Sequence, residues 1–110
     1  MRFGFPEIKW ASAVLALVSI SAFAEQTAQV NIEQYKFLPA EVSVKVGDTV
    51  KWTNREKRTS HSVLFLEEGV DESDRLFPDD SWQRKFTKPG RYPYRCGPHP
   101  DMKGVIVVAE

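Results

Sequence analysis

Between residues 92 and 104 the chain reads Tyr-Pro-Tyr-Arg-Cys-Gly-Pro-His-Pro-Asp-Met-Lys-Gly, which sets a thiol, an imidazole and a thioether, Cys96, His99 and Met102, three residues apart. No other stretch restricts the fold so tightly. Three soft or borderline donors on one short connection suit copper that cycles between Cu(I) and Cu(II), provided a second imidazole arrives from elsewhere. The sequence holds two histidines, His61 and His99. A fold compatible with this loop therefore has to carry residue 61 to residues 96–102.

A chain of 110 residues has room for one domain, and its 15 basic and 15 acidic side chains cancel, which removes any compositional case for nucleic-acid binding. Arg2 and Lys9 give a positive start, Trp10 to Ile20 is nearly all apolar or small, and Ala22-Phe-Ala24 offers a small-x-small cleavage site. Residues 1–24 thus read as a secretory signal peptide cut near Ala24, and residues 25–110 as the mature domain, destined for the periplasm. A membrane anchor needs about 20 apolar residues, and this run is little more than half that, so no stable span remains after cleavage. The mature 86 residues keep one Cys, two His and one Met, with 13 basic against 14 acidic side chains. A lone cysteine in an oxidising compartment is a liability unless something occupies it, and copper would do so.

The mature chain signals strands throughout. Val42, Val44 and Val46 alternate with polar residues, Gly47-Asp48 is a turn pair, and Val50 and Trp52 resume the alternation, which reads most simply as a hairpin. His61 opens a strand, the β-prone apolar run to Leu66. Residues 67–80, with seven carboxylates, Gly69 and Pro78, read as a solvated acidic loop without the ligand spacing of a calcium site. Ser81 to Thr87 is a further strand, Tyr92, Tyr94 and Cys96 share one face of the next, Pro93 implies an edge or bulge there, and residues 104–108 close the chain as a strand apolar on both faces. The expected fold is a small all-β antiparallel sandwich or barrel.

Phe37-x-Pro39, Val46-Gly-Asp-Thr-Val-x-Trp52-x-Asn54, Ser60-His61-Ser-Val63, Pro89-Gly90-x-Tyr92 and Cys96-x-x-His99-x-x-Met102 resemble, in that order, the type 1 blue copper proteins or cupredoxins. The short ligand loop and Trp52-Thr-Asn-Arg-Glu56 are similar to the amicyanin-like branch. The resemblance implies an eight-stranded antiparallel Greek-key sandwich with one copper at one end, His61, Cys96 and His99 as in-plane ligands and Met102 as a long axial one. It departs at Ser62, where these proteins usually have an asparagine that braces the ligand loop. It further implies an exported one-electron carrier without catalytic turnover, expected to be monomeric and to serve redox proteins such as a dehydrogenase or a c-type cytochrome. Pro98 and Pro100 are expected to present the His99 edge to a partner, and Arg55, Lys57 and Arg58 to steer an acidic one.

Competing chemistry fits less well. A structural zinc site would not recruit methionine, and a cysteine nucleophile needs an accessible thiol with an orienting partner. Copper enzymes of this fold need more histidines than the chain contains. Copper binding for tolerance or buffering is the alternative role, and a single site limits its capacity.

Overall fold

The computed structural model describes residues 24–110, so the signal-peptide reading lies outside the described residues except for Ala24. Eight strands follow in order: β1 (Thr27–Glu33), β2 (Lys36–Leu38), β3 (Glu41–Lys45), β4 (Thr49–Asn54), β5 (Leu64–Phe65), β6 (Ser81–Lys85), β7 (Gly90–Arg95) and β8 (Lys103–Ala109). They form two four-stranded sheets, β2-β1-β4-β6 and β3-β8-β7-β5. The all-β sandwich is as expected, and among the described residues no helix is long and apolar enough to cross a membrane. The sheets are mixed rather than wholly antiparallel, because β1 runs parallel to β4 and β3 parallel to β8.

Period-two patterning builds the core. Val30 and Ile32 of β1, Val42 and Val44 of β3, Val50 and Trp52 of β4, and Ile106 and Val108 of β8 are all buried in one cluster. Each such side chain contributes roughly 1.5–3 kcal/mol when fully withdrawn from water. β8 lies between β3 and β7; its Ile106 and Val108 are buried in the core, while Val105 and Val107 on its other face are half-buried. Pro93 lies just outside the β5 pairing, which covers only Tyr94 and Arg95, so β7 carries its residue without an N–H where that neighbouring strand has ended; its carbonyl accepts from Leu66 N–H at 3.2 Å. At the β6 edge the Arg84 guanidinium covers the rings of Phe65, Phe86 and Tyr92 and pairs with Glu67.

The expected β3–β4 hairpin is absent. β3 and β4 lie in opposite sheets, and both turn their apolar face to the same core. The Gly47-Asp48 turn crosses the sandwich: Val46 N–H donates to Ala109 O at 2.8 Å and Gly47 N–H to Phe86 O at 2.7 Å, binding one end of the turn to each sheet. Gly47 has φ 99°, which favours glycine, and Val46 leaves the core, 40% exposed. The Asp48 carboxylate accepts from the N–H groups of Lys45 and Gln26, and these bonds hold it below the usual carboxylate range.

Candidate metal centre

Four segments converge at one end of the sandwich. The first is the end of β4, where buried Asn54 donates from Nδ2 to Thr59 O at 2.8 Å and to Leu76 O at 2.9 Å, while its Oδ1 accepts from Glu56 N–H at 2.8 Å. This one amide shapes the connection that leads to His61. The second is His61 itself. It does not open a strand as expected: β5 begins three residues later, and His61 sits on an isolated bridge, exchanging both backbone hydrogen bonds with Leu76 at 3.0 and 2.7 Å.

The third segment is the end of β7, which delivers Cys96 fully buried. The fourth is the loop from Cys96 to Met102. Cys96 N–H donates to Met102 O at 3.0 Å and Met102 N–H to His99 O at 2.9 Å, so the loop is closed by its own backbone. His99 is half-buried between exposed Pro98 and Pro100. Met102 is buried beneath the loop.

The structure thus brings His61, Cys96 and His99 together, with one donor atom from each mutually within 4.8 Å. His61 Nδ1 and His99 Nδ1 are 3.1 Å apart, and Cys96 Sγ lies 3.6 and 3.5 Å from them. Three atoms so spaced share a point about 2.0 Å from each, close to a metal–imidazole bond length. Two inward nitrogens and a sulfur around such a point fit a borderline-soft ion such as copper.

Glu56 is the residue that sequence reasoning missed. Its Oε2 lies 2.8 Å from His61 Nε2. Its two oxygens also accept from Gln34 N–H and Tyr35 N–H, each at 3.1 Å. Burial pushes its carboxyl up, but the bonds from His61, Tyr35 and Gln34 outweigh that and hold it below its ordinary value. Burial pushes His61 down despite this acid neighbour. The imidazole is therefore neutral, donates Nε2–H to Glu56 and keeps the Nδ1 lone pair free for a metal. Glu56 also fixes the left-handed pair Gln34 and Tyr35, with φ 55° and 57°, which lays the Tyr35 ring edge-on to both histidines at 5.5 and 5.0 Å. The signals for it were its place at the end of the Trp52-Thr-Asn-Arg-Glu56 motif and its being a lone acid within the basic run Arg55-Glu56-Lys57-Arg58.

These shifts set the pH dependence of the metal-free protein. Below the ordinary histidine value of 6.5 the unfolded chain takes up a proton that folded His61 resists, so stability falls there as pH falls. A second loss follows in the carboxylate range, where Glu56, depressed in the fold, must be protonated. Denaturant midpoints measured from about pH 7.5 down to about pH 4 should decline in both windows, and Glu56→Gln should flatten the lower one. A constant midpoint above pH 5 would contradict the assignment for His61.

A mixed eight-strand sandwich with two imidazoles and a thiolate converging at one end defines a class, and the match of residues 8–108 to the cupredoxin-like domain confirms it. The chain belongs to the cupredoxin family. It is 40% identical to amicyanin-alpha of Methylorubrum extorquens over 89% of this chain and 87% of that protein. It is 38% identical to amicyanin of Paracoccus denitrificans, over 77% and 67% respectively. A solved Cu(I) form of an amicyanin variant superposes with TM-score 0.70 at 36% identity, covering 74% of this chain and 81% of that one. Family and donor set together make copper the cofactor, one ion per chain.

Proposed function

We propose that the protein is an exported, periplasmic one-electron carrier, released by removal of residues 1–24, in which His61, Cys96, His99 and Met102 would hold copper. The convergence of one thiol and two imidazole donors on a single point carries this reading. Copper supplies the Cu(I)/Cu(II) couple. The chain's part is to keep the donors nearly still in both states. His61 is held by Leu76 on its backbone and Glu56 on its ring, while the two backbone bonds of the Cys96–Met102 loop restrain the other donors. His99 is the one donor of the three that is not fully covered, and exposed Pro98, Pro100 and Tyr35 surround it, so electrons enter and leave through its edge. Arg55, Lys57 and Arg58 are exposed before His61 and steer an acidic redox partner, such as a dehydrogenase or c-type cytochrome, at low salt.

Cu(II) added to the mature protein should bind as one equivalent, produce an intense thiolate-to-copper visible band and give a reversible one-electron wave. Its electron exchange with an acidic partner should slow as salt rises. Stoichiometric binding without the band or the wave would rule out the carrier, and a salt-independent rate would remove the steering role.

A further inference from the structure

The acidic stretch 67–80 is not simply a solvated loop. Leu76 and Ser73 are buried, Val63 N–H donates to Ser73 Oγ at 2.9 Å, and Glu72 reaches the ligand segments. The Ser62 hydroxyl has one proton, which it gives to Glu72 Oε2 at 2.5 Å, a charge-assisted bond. Its lone pairs then accept Gly97 N–H at 2.9 Å. Ser62 N–H donates to Cys96 Sγ at 3.4 Å, and Arg95 Nη1 holds Gly97 O at 3.1 Å. The residue after His61 is thus tied to the residue after Cys96 and to the sulfur itself. The fit leaves no space for a side chain at position 97, where a Cβ would fall on Glu72 Oε2 and Ser62 Oγ.

We propose that Glu72 is a positioning residue of the metal centre, which accepts the hydrogen bond of the Ser62 hydroxyl, fixes that hydroxyl as the acceptor for Gly97, and so clamps the His61 segment to the Cys96 segment. For its effect on copper this rests on the carrier reading; the clamp itself belongs to the metal-free chain. A hydroxyl with no fixed acceptor for its proton can rotate, and the Gly97 amide then loses an aligned partner. A carboxylate beside the thiolate also opposes the loss of positive charge on reduction, and so lowers the potential.

Amide exchange at Gly97 in the metal-free protein, followed by NMR, tests the clamp. Glu72→Ala and Ser62→Ala should each speed Gly97 exchange roughly tenfold, and the double variant should add nothing, because the two side chains act as one unit. Glu72→Gln keeps an acceptor oxygen, so exchange should stay within about twofold while the potential of the copper form rises. Adding Ser62→Asn to Glu72→Ala should restore slow exchange. A role confined to holding the acidic loop would lower the melting temperature of Glu72→Ala and leave Gly97 exchange and the potential alone; that outcome overturns the proposal. Should the wild-type protein take up no copper, the carrier reading falls, and Gly97 exchange still decides the clamp.

Discussion

Cys96→Ser should abolish the visible copper band and weaken copper binding far more than the roughly 10–100-fold that follows loss of an outer hydrogen-bond partner of a ligand. Cys96 is the one cysteine of the chain and contributes the sulfur corner of the donor triangle. Serine occupies nearly the same volume, but its hydroxyl stays protonated at neutral pH and offers a harder oxygen that Cu(I) does not favour. Folding should survive, since serine nearly matches cysteine in volume at this fully buried position, and Ser62 N–H can donate to the new oxygen. Metal-free stability should therefore fall by no more than about 1–2 kcal/mol. Absorption and EPR of the copper-loaded variant, beside a denaturant titration of the metal-free one, measure both. An undiminished band would remove Cys96 from the site.

The ligand loop was readable because its chemistry is local: three donors at fixed spacing with too few histidines elsewhere to permit a second solution. What supports the donors was not, because it comes from segments distant in sequence. Glu72 is ten residues from Ser62, and Gln34 and Tyr35 are more than twenty from Glu56; composition marks the first as one acid among many and the second as an interruption in a basic run. Strand alternation was equally legible in kind and ambiguous in pairing. Val42, Val44, Val50 and Trp52 point inward in a hairpin and in a sandwich alike. The choice between them is made by where β8 and β6 offer partners for the Gly47-Asp48 turn, and periodicity carries no trace of that. His61 failed to open a strand for a similar reason, since its backbone partner is Leu76 in a stretch whose charge suggested exposure.

Asn54→Asp should destabilise the metal-free protein by about 3–5 kcal/mol at neutral pH, the cost of an uncompensated buried charge. Asn54 is fully buried, and its Nδ2 donates to two carbonyl oxygens, of Thr59 at 2.8 Å and Leu76 at 2.9 Å. Aspartate is nearly isosteric, yet it sets an oxygen against both carbonyls and leaves them without their donor. Leu76 O is also the acceptor for His61 N–H, and Glu56 N–H depends on Asn54 Oδ1, so the damage reaches both the ligand and the carboxylate that orients it. Copper should dissociate faster even though no ligand has changed. The sign of the pH dependence separates this account from a packing defect: burial beside two carbonyls raises the new carboxyl's pKa above its unfolded value, and protonation returns a donor for one of them. The stability deficit relative to wild type should therefore shrink as pH falls from about 7 towards about 4.5. Denaturant titrations of both proteins at the two ends of that range measure it, and a deficit that stays constant or grows would show that Asn54 acts through its shape and not through its two donated hydrogen bonds.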